Sequence, residues 1–481
     1  MALAEDKKNQ PNYHHPAHDE MEESWEIVEA VERGTLHLRA EGKQYLQPNF
    51  AETDAAYAYR LNSAILFNAF ARTKNALVGM VFKRDVKLAD DNPQPIVDQW
   101  ENIDNAGTHG SVLAKEFFDK MMRDGHAAIL VDMPPALGEG ATLADERASN
   151  RRPYWVVYEA DQIINWRTEV VNGQTVLAMV VFEEESLEPD GAYGVEEVCR
   201  YRVFRRQDGV VSWQLYREVE DEHGKESLVL EQEGATNLPE IPVAIGYARK
   251  TGFMTSSPPL LDIAVINLAH YNKYRDFSTL LHLTLPILCR KGFDPSIENL
   301  AIGPYTVIDT TTDGNVWYAE PSGNGLKPQA EDLKELEDRM SKLGLALLSS
   351  KAPAKNQTAT ETILDNLQEQ SDLATAARSC QDALELALNF HAQYLGLEAG
   401  SVEMGSGASD LTLTPEKMKL LLDAVGANVL SVETVQEILM RAGELPEDFD
   451  AQVEAQRIEA KQANFGEQAL KLFDRGQAPI Q

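Results

Sequence analysis

Two long helical segments, separated by a stretch of short strands and turns, most constrain the fold of this 481-residue chain. The first begins at Ser257-Pro258-Pro259, because a capping serine followed by proline is typical of a helix start, and it keeps an apolar face to about residue 283. The second, residues 327–348, spaces its apolar side chains 3, 4, 3 and 4 positions apart: Leu333, Leu336, Met340, Leu343 and Leu347. This heptad seam favours packing along another helix. Ordinary core is the preferred interpretation of the seam, and a subunit interface is the alternative.

The segment after the second helix stands apart from the rest of the chain. Residues 349–360 contain no acidic and no large apolar side chain, whereas the chain carries 77 Asp and Glu against 44 Lys and Arg, a net charge of −33. Lys351 and Lys355 make the segment locally basic. Thr358 and Glu361 fit a capping box that opens a further helix, to about residue 395. A solvated surface loop is the default interpretation, but a basic joint between two long helices favours a functional loop.

Composition excludes several classes of protein. An isoelectric point near 4.7 argues against a protein that wraps DNA by counterion release, since such surfaces are basic. The sequence contains no run of 18 apolar residues, so it predicts no membrane span. Its first residues lack the apolar run of a secretory signal. Cys199, Cys289 and Cys380 form no CxxC pair, so we expect free buried thiols in a reduced compartment.

The first half of the chain predicts a mixture of helices and strands. We expect a helix over residues 53–78 that ends at Gly79, followed by a short strand, 80–82. A helix capped by Ser111 and running to Asp124, with Gly125 as its stop, precedes a buried strand at 127–131. Between residues 153 and 247, β-type segments alternate with turn pairs such as Asn172-Gly173 and Asp208-Gly209, as hairpins require.

Local catalytic signatures are missing from the sequence. It contains no phosphate-binding GxxxxGK[ST], GxSxG, HExxH, EF-hand or GxGxxG motif, and we therefore expect a non-enzymatic protein without a cofactor. Asp132, at the end of a buried strand, is the one candidate for a catalytic or metal-binding carboxylate. A carboxylate that satisfies turn amides next to Pro134-Pro135 is the preferred interpretation.

The N-terminal cluster His14-His15-x-x-His18-Asp19 could ligate a transition metal. It lies in the polar, proline-flanked residues 1–20, and nothing in the sequence orients its side chains. A flexible arm is therefore the preferred interpretation, and we predict no metal site.

The order and spacing of these segments resemble the portal proteins of tailed bacteriophages, and most of all a portal subfamily catalogued as a domain of unknown function. The resemblance spans about residues 20–440 and no single motif carries it. The matching stretches are Arg60 through Gly79-Met80-Val81-Phe82, the unit from Gly125 to Leu130-Val131-Asp132-Met-Pro-Pro, Arg152-Pro153-Tyr154, Ile163-Ile164-Asn165-Trp166-Arg167, Ile241-Pro242-Val243, Ser257-Pro-Pro-Leu-Leu-Asp262 through Asn267, and Thr358-Ala-Thr-Glu361.

The resemblance implies an α+β portal fold with an α/β wing, a two-helix stem, a small β-containing clip and an α-helical crown. Carried over by segment, these parts and their joints are the flexible arm 1–20, the wing 21–255, the stem helices 256–283 and 327–348, the clip 284–326, the tunnel loop 349–360, a long helix 361–395 and the crown 396–481.

The same resemblance implies a function and partners. The chain would form a ring, usually a dodecamer, at the portal vertex of a virion capsid, after synthesis in the cytoplasm of a bacterial host. Double-stranded DNA would be packaged and ejected through the ring without sequence specificity, past Lys351, Lys355, Asn356 and Gln357 of the tunnel loop. Partners would be the terminase large subunit, the head-tail adaptor and the major capsid or scaffolding protein, with no membrane involved. The alternatives are a soluble metal-dependent hydrolase using Asp132, and a capsid-associated scaffold or adaptor without a channel.

Overall fold

The structure is a computed structural model that describes residues 8–134, 151–220, 226–291, 313–319, 323, 325–346, 372–404, 431–441 and six positions beyond (445, 449, 451, 453, 454 and 457). Its mixture of helices and sheets confirms the α+β class. The chain divides into two compact units. The first comprises Met1–Met21, Asn75–Ser257 and Ala346–Gln481, and the second comprises Glu22–Lys74 and Pro258–Leu345. This division cuts across the predicted wing, because residues 22–74 group with the two long helices.

The helices of the described residues are α1 (Pro16–Arg33), α2 (Thr35–Glu41), α3 (Asp54–Asn62), α4 (Ala69–Val81), α5 (Gln94–Trp100), α6 (Gly110–Asp124), α7 (Leu261–Leu283), α8 (Leu326–Ala346), α9 (Asp372–Leu395) and α10 (Val432–Arg441). The strands are β1 (Lys87–Leu88), β2 (His126–Asp132), β3 (Tyr154–Glu159), β4 (Ile163–Val171), β5 (Gln174–Asp190), β6 (Gly194–Gln207), β7 (Val210–Glu220), β8 (Glu226–Thr236), β9 (Val243–Tyr247), β10 (Lys250–Gly252), β11 (Thr255–Ser256), β12 (Ile287–Lys291), β13 (Asn315–Ala319) and β14 (Val402–Glu403). None of these helices is long and apolar enough to cross a bilayer.

A three-stranded antiparallel sheet forms the core of the first unit. Strand β2 lies between β3 and β9 and is buried along its whole length. Helices α6 and α9 pack on this sheet. Gly125 ends α6 in the left-handed region, with φ 93°, and a Cβ there would lie 2.6 Å from the Ser256 hydroxyl. The predicted helix, its glycine stop and the buried strand up to residue 131 are therefore confirmed, but the helix begins at Gly110 with His109 rather than Ser111 as its cap.

The β-rich segment forms a five-stranded antiparallel meander, in the order β4-β5-β6-β7-β8. The turns Asn172-Gly173 and Asp208-Gly209 have positive φ at both positions, as two-residue hairpin turns require. One face of the sheet holds a hydrophobic cluster formed by Ile164, Met179, Val181, Tyr201 and Val203. Strand β8 was not predicted, because its sequence contains three glutamates and its apolar side chains Val229 and Leu230 are exposed.

The N-terminal residues differ from the predicted flexible arm. Helix α1 begins at Pro16, and the residues before it lie against β4. The backbone N–H of His15 donates to Ile164 O at 2.8 Å, and the Asn165 side chain donates to Tyr13 O at 2.7 Å. The His15 ring stacks on Trp166 with the ring centroids 4.2 Å apart. These contacts, which join residues about 150 positions apart, cannot be seen in the local polarity of residues 8–20.

Two local predictions in the first half of the chain are wrong. The helix predicted over 53–78 is divided into α3 and α4, with an irregular connection between them. The strand predicted at 80–82 is instead the end of α4, since Gly79 lies inside that helix and Phe82 donates its N–H to Val78 O. Apolar residues recur at helical spacing across the break in the sequence, but the structure buries Leu66 and Phe70 and leaves Ile65 exposed.

The three cysteines are free, with Cys380 buried and Cys199 and Cys289 half-buried. Burial, together with the neighbouring Glu183, raises the pKa of the Cys199 thiol to about 12. Burial alone raises the pKa of Cys380 still further. The prediction of free thiols is therefore confirmed, whereas the predicted burial holds fully only for Cys380.

Candidate functional site

The two predicted stem helices, α7 and α8, lie side by side and run antiparallel. His270 Nε2 of α7 lies 3.3 Å from Glu337 Oε1 of α8, and Lys273 Nζ donates to Asp332 Oδ2 at 2.7 Å. As the residue number rises along α7, its partner's number falls along α8. The heptad seam predicted that α8 packs along another helix, and that helix is α7.

The seam of α8 is buried where the structure describes it. Leu333, Leu336 and Met340 are between 2% and 8% exposed, whereas the intervening charged residues face solvent. Leu343 is half-buried, and Leu347 lies outside the described residues. The seam therefore serves as core of the second unit, in agreement with the preferred interpretation.

A strand pair lies at one end of the helix pair. Strand β12 follows α7, β13 precedes α8, and the two pair antiparallel from Ile287↔Ala319 to Lys291↔Asn315. At this end, Gly325 lies next to Leu280 of α7, since a Cβ on Gly325 would be 3.9 Å from the Leu280 side chain. At the other end, Gly344 of α8 lies next to Ile263 of α7, since a Cβ on Gly344 would be 3.9 Å from the Ile263 side chain. Helix α8 therefore ends, at Ala346, at the end of the pair opposite to the strands.

Asn267 of α7 fixes the start of α4 and is fully buried. Its side-chain Oδ1 accepts hydrogen bonds from the backbone N–H groups of Ala69 at 2.9 Å and Phe70 at 3.1 Å. Its Nδ2 donates to Phe67 O at 2.7 Å. The first N–H groups of a helix have no partner within the helix, so Asn267 caps α4 from a distant part of the chain.

Arg60 of α3 organises the neighbouring segment. Its guanidinium binds both carboxylate oxygens of Glu52, at 2.9 and 3.0 Å, and donates to Gln47 O at 2.5 Å. It also lies 3.6 Å from Asp276 of α7. The hydrogen bonds from Arg60 lower the pKa of Glu52. Arg60 and Asn267 belong to the stretches on which the resemblance rests. The structure gives both residues an anchoring role that the sequence alone did not reveal.

The helix pair is almost neutral, unlike the chain as a whole. Helices α7 and α8 together carry seven acidic side chains and six Lys or Arg, so the net charge of −33 resides elsewhere in the sequence. The predicted DNA-facing residues Lys351, Lys355, Asn356 and Gln357 lie outside the described residues, as do most of the predicted clip and crown. Those assignments stay predictions.

Asp132, the candidate of the rival hydrolase interpretation, is engaged by protein donors on both carboxylate oxygens. Oδ1 accepts the backbone N–H of Met133 at 2.8 Å, and Oδ2 accepts the Tyr154 hydroxyl at 2.9 Å. The Arg202 guanidinium binds Oδ2 at 3.1 Å and also binds Glu184. Within the described residues no group of three potential metal ligands includes Asp132. The arrangement is that of a structural carboxylate that joins β2 to β3 and β6.

Comparisons with known proteins add one family and two assemblies. A family model described as a domain of unknown function, DUF4055, matches residues 259–395, the stretch that contains α7, α8 and α9. No curated protein matches. Among solved structures, the chain is similar to a chain in the virion of a native gene transfer agent particle, with 13% identity and a TM-score of 0.38 over 85% of this chain and 98% of that one. It is also similar to a chain in the neck of an empty gene transfer agent particle computed with C6 symmetry, with 13% identity and a TM-score of 0.39 over 85% and 94%.

Proposed function

We propose that this chain is a portal subunit: many copies form a ring at one capsid vertex, and double-stranded DNA passes through its axial channel. The arrangement of the second unit carries the proposal. An antiparallel helix pair has a strand pair at one end, and α8 ends at the opposite end, a few residues before the acid-free lysine segment begins in the sequence. The portal resemblance implies this sequence of stem, clip and tunnel loop.

Electrostatics explains how such a channel lets DNA move. Duplex DNA carries one negative charge per ~1.7 Å of axis, and screening at physiological salt limits exposed charges to a range of ~8 Å. A strongly basic wall would hold the phosphates and oppose translocation. Near-neutral stem helices with two lysines on a narrow loop make only brief contacts with the backbone. The motor is a separate protein in this proposal, so the chain itself needs no nucleotide site.

The tunnel-loop assignment is tested by charge reversal. In the particle that contains this chain, replacing Lys351 and Lys355 by glutamate is expected to reduce the amount of packaged DNA while ring assembly continues. The control K115E/R249E alters the charge equally at two exposed positions and is expected to leave packaging unchanged. Equal packaging in both double variants would contradict the assignment of the loop.

The scaffold or adaptor interpretation is separated from a portal by microscopy of the purified protein. A portal forms closed rings with an axial opening wide enough for duplex DNA. A scaffold or adaptor without a channel would give solid particles or isolated subunits. Rings with unchanged packaging in K351E/K355E would keep the portal and remove only the loop assignment.

A further inference from the structure

Two histidines and an aspartate meet at the start of helix α1, within the first unit. His14 Nδ1 lies 3.4 Å from Asp19 Oδ1, and His18 Nδ1 lies 3.7 Å from the same oxygen. The rings of His14 and His18 are in edge-to-face contact, with centroids 4.7 Å apart. One potential ligand atom from each of the three residues lies within 4.8 Å of the others.

The tautomer of His18 suits metal binding. His18 Nε2 lies 2.8 Å from the backbone oxygen of Asp161. A carbonyl oxygen only accepts hydrogen bonds, so Nε2 carries the proton and, in the neutral ring, Nδ1 presents its lone pair to Asp19. Metal-bound histidines are commonly oriented in this way, by a carbonyl or carboxylate that accepts from the second ring nitrogen. His18 is 3% exposed, so its ring is held by the surrounding fold.

We propose that His14 Nδ1, His18 Nδ1 and an Asp19 carboxylate oxygen bind one divalent transition-metal ion, with zinc as the best fit. Zinc bonds of 2.0–2.2 Å to nitrogen and oxygen place tetrahedral ligands about 3.3–3.5 Å apart. The two distances to Asp19 already fall at or near this range, and the half-exposed His14 can turn to complete the set. Two imidazoles with one carboxylate favour zinc over magnesium or calcium, which prefer oxygen ligands.

Such a site would rigidify the N-terminal segment at the start of α1, where it lies against the meander sheet. His14 precedes α1, whereas His18 and Asp19 lie in its first turn. The same segment already contacts Ile164 and Asn165 of β4. The positive end of the α1 dipole disfavours a cation there, and the Asp19 carboxylate offsets it. The metal would cross-link the chain on both sides of the helix start, with the fourth coordination position open to water.

His15 is excluded from the ligand set, although it lies between the other histidines in sequence. Its Nδ1 accepts the backbone N–H of Ala17 at 3.1 Å, and its ring stacks on Trp166. The sequence pattern alone offered all three histidines equally, and the structure selects two of them.

The test is a zinc titration of the full-length protein without a histidine tag, monitored by isothermal calorimetry. We expect one zinc ion per chain and a weakening of at least about tenfold in both H14A and D19N. These positions are exposed enough for the variants to fold, which circular dichroism would verify, whereas the buried His18 is left intact. The control H282A removes an exposed histidine outside the cluster and is expected to bind zinc as the unmodified protein does.

Cobalt supplies a second measurement, because a tetrahedral Co²⁺ complex with histidine ligands absorbs visible light. We expect this absorption in the unmodified protein and in H282A, and its loss in H14A. Zinc should also slow proteolysis within residues 8–15 in the unmodified protein but not in D19N. Zinc affinity unchanged by both H14A and D19N, or no stoichiometric binding at all, would overturn the proposal.

Discussion

Asp132 illustrates at the residue scale how a carboxylate at the end of a buried strand is used for structure. Burial acts to lower the pKa of its partner Arg202, but the charges of Glu184 and Asp132 raise it overall. The guanidinium therefore stays charged and holds two carboxylates from different strands. The sequence placed Asp132 correctly at the end of β2, but the Arg202 pairing joins residues 70 positions apart, and no local pattern contains it.

The substitution D132N tests this structural role. Asparagine keeps the shape of the side chain but removes the charge that faces Arg202. We expect the free energy of unfolding to fall by about 1.5–3 kcal/mol, the usual contribution of a hydrogen bond to a charged group, in urea titrations followed by tryptophan fluorescence. The control D85N, at an exposed position of the same unit, should change stability by less than ~0.5 kcal/mol. A divalent-metal-dependent hydrolysis that is lost in D132N would favour the rival hydrolase.

His391 gives a pH-dependent prediction. It is fully buried in α9, and its Nε2 lies 2.7 Å from Gln99 Oε1. Burial, reinforced by the charge of Arg152, lowers the pKa of His391 to about 4. In the unfolded chain the pKa of a histidine is near 6.5. Between these values the unfolded state binds the extra proton. The stability contributed by the neutral ring is therefore fully present above pH 6.5 and is lost as the pH falls toward 4.

The measurement is urea unfolding of the unmodified protein and H391Q, followed by tryptophan fluorescence, to which Trp155 next to His391 contributes. From pH 7.5 to pH 5, we expect the unmodified protein to lose about 2 kcal/mol more than H391Q, the amount that linkage gives for these two pKa values. H282Q, which replaces an exposed histidine, should lose as much stability between pH 7.5 and pH 5 as the unmodified protein does. If H391Q lost as much stability over this pH range as the unmodified protein, the neutral, buried state of His391 would be contradicted.

At the scale of elements, the seam of α8 is the feature that sequence analysis predicted best. A period of 3.5 residues needs only one local segment to be recognised, and Leu333, Leu336 and Met340 are buried as expected. The partner helix was also predicted, although its register was not, because the pairs His270–Glu337 and Lys273–Asp332 are set by the fold.

Truncating the seam should weaken the helix pair. We expect M340A to reduce the free energy of unfolding of the second unit by about 2–5 kcal/mol, since Met340 is 2% exposed and its removal leaves a cavity. K334A, an exposed position of the same helix, and K273A, which removes an exposed ion pair, should each cost less than about 1 kcal/mol. Chemical denaturation of the three variants makes the comparison. Equal losses in M340A and K334A would show that the seam is not core.

Contacts from distant residues contribute to both of the segments that were mispredicted. Helix α4 begins at Ala69, where Asn68 caps it locally by accepting the N–H of Ala71 at 2.9 Å, and Asn267 of α7 accepts the N–H groups of Ala69 and Phe70. Asn68 is therefore a local signal of the break that the single helix predicted over 53–78 overlooked. The segment before α1 is ordered by Ile164, Asn165 and Trp166. Helix periods and hairpin turns are local signals, whereas these contacts depend on the tertiary fold.

At the scale of the whole molecule, charge is distributed unevenly. The chain carries −33, but α7 and α8 are nearly neutral and residues 349–360 have two lysines and no acid. Composition predicted an acidic protein and could not assign the acidity to particular elements. The lysine segment was recognised from its composition, and its channel role rests on the portal resemblance. The structure adds that α8, the helix preceding it in the sequence, ends at the end of the helix pair opposite to β12 and β13.

Electron microscopy of the purified, full-length protein tests the central claim most directly. Class averages viewed along the symmetry axis are expected to show closed rings of many copies, twelve being the number that the resemblance implies, around an opening that admits duplex DNA. Monomers at every concentration, or closed particles without an axial opening, would contradict the portal account.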